Sequence, residues 1–341
     1  MAVLAPAFVQ AHPSYVMPDL LMPFSQVSGA FDVLATGAPL VRLSEGDLFA
    51  YIKRVEVRTS MEVGQSAPNM LPGPSFAFSQ ISAPTYLLRC RAQWDHHDTA
   101  AVSKWGVGIA ELHRLGMRQA NFQLQRNGLL YGFNPQNGEG IMNAQGATAI
   151  PLPPDGNGND TVVTYDNGEM AFFLLSQIRQ IKTRTYQLGM GRKFVICGPQ
   201  ETLGQFEYEG VVMLMQFQTK GAGSTTTKGV IEDVLTMNDD TVEWVYDDTL
   251  KGKGAGGTNA VLIVMPEVVQ PKGRGTVNTN EFAKLSPTLE ACTLMFNDKP
   301  APTEIPTPLA GGAIDVIQEM RSTSGWAVRG ETVTIISMKQ E

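Results

Sequence analysis

DTAAVSKWGVGIAELHRLGMRQANFQLQRNG, residues 98–128, carries the strongest helical periodicity in the chain. Val102, Trp105, Ile109, Leu112, Gly116, Ala120 and Leu124 recur at helical spacing and so share one face. Lys104, Glu111, Arg114, Arg118 and Arg126 fall on the others. Asp98 and Thr99 are suitable N-caps, and Asn127-Gly128 is a suitable stop. A helix over 99–127 is about 43 Å long at 1.5 Å per residue. Gly106, Gly108 and Gly116 weaken it, so a bend or close helix packing is expected there.

Towards the N-terminus, two stretches of strand character flank a loop. They are Val55-Glu56-Val57-Arg58-Thr59-Ser60 and Tyr86-Leu87-Leu88-Arg89-Cys90-Arg91, with Gly64, Pro68, Pro72, Gly73 and Pro74 between. This predicts a long two-stranded excursion over about 54–92, preceded near 46–57 by a short helix or turn leading into a strand. An isolated hairpin is marginal in water, so a long one needs a partner surface from its own chain or another. Ahead of it, the first 41 residues contain no Lys or Arg and only Asp19 and Asp32 as acids. Pro6, Pro13, Pro18, Pro23 and Pro39 punctuate a run holding Phe8, Tyr15, Leu20, Leu21 and Phe24, which excludes a continuous helix. Without a basic start or arginines, the run reads as neither a secretory signal nor a transit peptide. So uncharged an arm is poorly solvated alone. It lies either on its own core or on a neighbouring subunit.

Downstream, residues 132–138 and 151–160 read as loops. A helix is expected over 170–188, with Phe173, Leu174, Ile178 and Ile181 inward. Arg179, Lys182 and Arg184 sit near its C-terminal end, where cations suit the helix dipole. A buried strand over 192–197 precedes a helix opening at 199–208. Strands over 241–246 and 259–265 flank the glycine-rich loop 251–257. Two terminal strands, 314–320 and 326–338, are joined as a hairpin by Ser322-Thr323-Ser324-Gly325. No internal repeat of solenoid or propeller period is present, and the class is α+β.

The 341 residues are 43% apolar but only 17% charged, against about 25% charged in average domains. A folded chain so poor in charge is either loop-rich or has much of its outside covered. The net charge of -7 argues against an electrostatic nucleic-acid binder. No apolar run reaches the ~18 residues of a membrane span. Cys90, Cys197 and Cys292 are few, distant and odd in number, and read as reduced thiols.

Catalytic constellations are scarce. His96-His97-Asp98 resembles the start of a metal cluster, but His12 and His113 are remote, and helix-entry residues are the simpler reading. Gly252-Lys253-Gly254-Ala255-Gly256-Gly257 matches a dinucleotide fingerprint literally, yet runs into a strand rather than a helix. Residues 221–228 place Lys228 wrongly for a phosphate loop. Asp239-Asp240 and Asp247-Asp248 read as solvated strand-end carboxylates, with divalent-metal coordination the minor alternative. No enzyme signature and no cofactor emerges.

The helix run Ala110-Glu111-Leu112-His113-Arg114-Leu115-Gly116-Met117-Arg118-Gln119-Ala120 is followed by Tyr131-Gly132-Phe133 and Gly140-Ile141-Met142-Asn143-Ala144-Gln145-Gly146, and the chain finishes with Gly325-Trp326-Ala327-Val328-Arg329. In that order these resemble a branch of tailed-phage major capsid proteins with the Hong Kong 97-type fold, which encapsulins share. The resemblance implies an N-terminal arm over 1–50, an extended loop over 54–92 and a peripheral domain over 93–144 with its spine helix at 99–127. An axial domain over 145–300 and a return to the peripheral domain over 301–341 complete the layout. It further implies hexamers and pentamers in an icosahedral shell around a double-stranded DNA genome held without sequence-specific binding. The shell would be assembled in the host cytoplasm and found in the virion, with no membrane.

Lattice contacts are then expected from the arm, at Phe8, Tyr15, Leu20, Leu21 and Phe24, and from the loop, at Met61, Met70, Leu71, Phe76 and Phe78. No room is left for a scaffolding region ahead of the arm, which implies a separate scaffold or prior processing. A portal, and in some relatives a decoration protein, are the other implied partners. An encapsulin-like cargo compartment is the first alternative. A metal-dependent enzyme using Asp239, Asp240, Asp247 and Asp248 is the second.

Overall fold

The computed structural model describes residues 30–35, 39–41, 43–44, 46–58, 75–103, 108–185, 187, 191–208, 226–267, 294–297 and 302–341. In chain order the elements are α1 (Ala30–Ala35), β1 (Pro39–Val41), β2 (Phe49–Arg58), β3 (Ser75–Trp94), α2 (His96–Ser103), α3 (Ile109–Leu130), β4 (Thr148–Pro151), α4 (Asn167–Arg184), β5 (Lys193–Gly198), α5 (Gln200–Tyr208), α6 (Thr227–Met237), β6 (Thr241–Tyr246), β7 (Asn259–Val264), β8 (Leu294–Asn297), β9 (Thr303–Pro308), β10 (Ile314–Thr323), β11 (Trp326–Ala327) and β12 (Val333–Met338). Two compact units result. The smaller holds described residues from 89–121 and 303–319, and the larger holds the rest.

The larger unit is built on a sheet ordered β4-β12-β7-β5-β6. All six residues of β7 and the last five of β5 are buried, as expected of strands covered on both faces. Their side chains alternate between two cores. Phe194, Ile196, Val261, Ile263 and Ile336 meet Leu174, Ile178 and Ile181 of α4, Leu203 and Phe206 of α5, and Ile231 and Leu235 of α6. Val195, Cys197, Leu262, Val264 and Val333 meet Ala30 and Leu34 of α1, Leu129 and Leu130 of α3, and Ile141. The result is a three-layer unit.

In the smaller unit β9 pairs antiparallel with β10, Ile314 opposite Pro308 through Glu319 opposite Thr303. Ala92, Trp94, Met117 and Val316 form its small core. His113 stacks on Trp94 at 5.2 Å, which gives that histidine a packing role.

Several expectations are corrected. The single helix over 99–127 is two helices, α2 and α3, with Gly108 non-helical; residues 104–107 lie outside the described residues. The α2 cap is Asp95, not Asp98 or Thr99. Asp95 Oδ1 accepts from the Asp98 amide and Asp98 Oδ2 from the Asp95 amide, a reciprocal capping box. Within residues 1–50, expected to form the arm, Ala30 and Leu34 are buried, and β1 pairs with β8. The terminal strands are not a hairpin. β10 joins β9 and β3 in a sheet ordered β2-β3-β10-β9, β11 pairs with β8, and β12 enters the five-stranded sheet beside β7 and β4. Ser322, Thr323 and Ser324, read as a turn, are each buried.

The cations of α4 also find partners other than its dipole. Lys182 Nζ lies 2.8 Å from both carboxylate oxygens of Asp240, with both residues buried, and the Arg192 amide donates to the same carboxylate. Arg184 donates to Thr148 and Thr334. Removing one side of a buried pair strands the other charge, typically at about 3–5 kcal/mol. Lys182→Ala is therefore expected to lower the unfolding midpoint by roughly ten degrees. Thermal unfolding checks this, with the doubly apolar Lys182→Met/Asp240→Leu expected to lose much less.

Candidate assembly surfaces and their anchor

β2 and β3 form a ribbon in antiparallel register, Phe49 opposite Pro84 through Arg58 opposite Ser75. The returning strand thus begins at Ser75, eleven residues before the Tyr86 stretch that signalled it. Directly opposed residues share a face and neighbours in sequence alternate. Phe49, Tyr51, Phe76 and Phe78 consequently lie on one face, and Ala50, Ser75, Ala77, Ser79 and Ala83 on the other. The aromatic face is open, with Phe78 79% and Tyr51 59% exposed, whereas Ala50 and Ala83 are buried at the base.

Of the expected contact residues, Phe76 and Phe78 are brought together here. Phe8, Tyr15, Leu20, Leu21, Phe24, Met61, Met70 and Leu71 lie outside the described residues. Phe49 and Tyr51 share that face and were not among the expected residues; their period-2 spacing was the available signal.

A second open apolar surface runs along α3. Leu112, Leu115 and Leu124 are exposed, as are Gly116 and Ala120, while Met117 and Asn121 are buried. Of the apolar stripe of the sequence, Ile109 packs on the small core, whereas Leu112, Gly116, Ala120 and Leu124 face out. Among the described residues no side chain requires Gly116, since a Cβ there meets nothing within 4 Å.

The ribbon is anchored where the motif residues meet. Tyr131-Gly132-Phe133 follows α3, and the loop carrying Gly138, Glu139 and Gly140 returns against it. Gly132 and Gly140 both have positive φ, and a Cβ on either would lie within 2.5 Å of the other segment's backbone. The loop is pinned further by Gly140 N donating to Gly325 O and Gly325 N to Gly128 O. Glu139 is fully buried. Its carboxylate accepts from Tyr86 Oη at 2.8 Å, Ser324 Oγ at 2.8 Å and the Asn134 amide at 2.9 Å. Burial, with the Glu139 carboxylate beside it, pushes the Tyr86 phenol well above its usual range, so it remains a donor. The ring also meets Phe133 edge-on at 5.0 Å.

The carboxylates considered for metal binding do not converge. Asp240 and Asp247 stand at opposite ends of β6, and both are buried, not solvated as expected. Asp240 is taken by Lys182, and Asp247 accepts from the Thr249 amide and hydroxyl. Asp248 accepts from the Gln200 amide. Among the described residues no group of three or more His, Cys, Asp or Glu could hold a metal ion. Residues 251–257 lead into β7, a strand, so they do not form a dinucleotide turn. Burial pushes the Cys197 thiol up, which keeps it unreactive. An open groove of about 790 Å³ beside α5 is lined by Glu201, Glu207, Asp248 and Lys251, each paired within the chain. Among the described residues no helix is long and apolar enough to cross a membrane.

No family model matches the sequence, and no curated protein matches it. Solved structures do. The capsid of Myoviridae phage XM1 aligns at TM-score 0.66 and 8% identity, over 95% of this chain and 96% of that one. The capsid of the empty gene transfer agent particle aligns at 0.57 and 7%, over 97% and 95%. The capsid of cyanophage P-SCSP1u aligns at 0.53 and 14%, over 98% and 94%. At such identities the shared property is the arrangement of the backbone, and it extends over nearly the whole chain: this protein has the capsid fold of tailed phages.

Proposed function

We propose that this chain is a major capsid protein that self-assembles, through hexamers and pentamers, into an icosahedral shell enclosing a phage genome. The observation that carries the reading is end-to-end similarity to capsid subunits, over 95% of this chain and 96% of the XM1 chain. Two open apolar surfaces, the aromatic ribbon face and the outer stripe of α3, support it, because exposed apolar area of this kind is normally covered by a partner. Subunits repeating one heterologous contact form rings where the rotation between them closes. On this reading the arm over 1–28 and the ribbon reach neighbouring copies, a separate scaffold and portal take part, and the shell resides in the virion. On this reading Asp240, Asp247 and Asp248 serve as structural partners.

Electron microscopy of the purified protein checks the reading: closed shells are expected, and only monomers under all assembly conditions would refute it. Deleting residues 1–28, a cut ahead of the buried Ala30 and Leu34, is expected to leave a folded subunit and remove stable shells. Normal shells from that deletion would show that the arm is not a lattice element.

A further inference from the structure

The ribbon is held at its base on both faces by successive residues. Thr85 and Tyr86 of β3 point to opposite sides of the strand, as neighbours must. On one side, Thr85 Oγ1 donates to Asp47 O at 2.6 Å, and Arg321 Nη1 donates to both Asp47 O and Thr85 Oγ1 at 2.9 Å. On the other, Tyr86 Oη donates to Glu139, which Ser324 holds from behind. Arg321 and Ser324 belong to one short stretch, so a single segment grips the strand from both sides. Beyond this point residues 75–80 are exposed on both faces.

We infer that Thr85, Tyr86, Glu139 and Arg321 form a two-sided clamp that sets the direction of the ribbon, with Glu139 as its positioning residue. A fully buried carboxylate with three neutral donors suits that task. Of these donors Tyr86 alone belongs to the ribbon, so losing its hydroxyl both leaves the buried carboxylate short of a partner and frees the strand. Its leverage is large. Ten paired residues at about 3.3 Å each make an arm of about 33 Å, whose tip moves about 6 Å for a tilt of about 10° at the base. The inference rests on the proposed shell function only for its consequence in assembly; the clamp belongs to the single chain.

The test compares Tyr86→Phe with Ser324→Ala by hydrogen exchange on the unassembled full-length chain. Each variant takes one hydrogen bond from Glu139, but only Tyr86→Phe unties the ribbon, and the substituted ring keeps its packing. Tyr86→Phe is expected to speed exchange across 49–58 and 75–84 by roughly tenfold or more, while Ser324→Ala leaves the ribbon within about twofold. Thr85→Val, which loosens the other side, is expected to act like Tyr86→Phe and more than additively with it. Equal effects of Tyr86→Phe and Ser324→Ala on the ribbon, or none from Tyr86→Phe and Thr85→Val, would overturn the clamp. In assembly, Tyr86→Phe is expected to lower shell yield more than Ser324→Ala. A wild-type chain that forms no shells would defeat the proposed function and leave the exchange result to decide the clamp.

Discussion

Gly140→Ala is expected to abolish the folded protein. Gly140 has φ 85° and ψ 151°, a region essentially reserved for glycine and costing other residues of order 1–3 kcal/mol. The added methyl would also lie 2.4 Å from the backbone of both Gly132 and Tyr131 and 2.8 Å from Leu130 O. Those atoms close the end of α3 and cannot swing aside as a side-chain tip can. Together the two penalties are expected to exceed about 4 kcal/mol, a large share of the roughly 5–15 kcal/mol that holds a domain folded. The matched control is Gly116→Ala, where a Cβ has open space; alanine inside a helix is expected to stabilise by up to about 1 kcal/mol. Soluble yield and urea unfolding of the two variants check the contrast. A Gly140→Ala protein as stable as the wild type would mean that the α3 end and the Glu139 loop do not lock as described.

Phe78→Asp is expected to reduce shell yield more than tenfold while leaving the subunit as stable as before. The side chain is 79% exposed, so folding stability should change by no more than about 0.5 kcal/mol. In an assembly the same ring would be buried against a neighbour. A carboxylate there must be desolvated without a partner, and a central aromatic contact is commonly worth about 2 kcal/mol or more. On the proposed function the contact would recur at every subunit, and the penalty would multiply over the particle. Ser79→Asp places the same charge one residue along, on the opposite face, and is expected to assemble. Particle counts for the two variants, beside their melting temperatures, separate the faces. Equal loss from both would remove the aromatic face as the contact.

How far the sequence could be read follows from how local each signal is. The buried strand β5 and the helix α4 were legible because their own side chains set the periods, with Leu174, Ile178 and Ile181 inward as the spacing required. The helix α6, with Thr226 as its cap, went unread behind a glycine-rich run. The return strand of the ribbon was read eleven residues late because Ser75-Phe76-Ala77-Phe78-Ser79-Gln80 carries its strand character in two aromatics alone. Ser322-Thr323-Ser324 reads as a turn by residue type, yet it is buried beside Glu139, a relation no local rule contains.

From the sequence alone came the α+β class, the charge-poor N-terminal run, the long two-stranded excursion and the motif order that points to the capsid fold. These depend on composition, on spacings within one segment and on the order of segments along the chain. Only the tertiary structure decided that β12 enters the central sheet, that Asp240 and Asp247 are buried partners, and that Leu112, Leu115 and Leu124 of α3 face outward. It also decided that Tyr86, Glu139 and Ser324 meet. The physical reason is the same in each case: strand partners, buried charges and exposed faces depend on residues brought together from distant parts of the chain. A periodic stripe shows that a face is apolar, and only the fold shows whether this chain covers it.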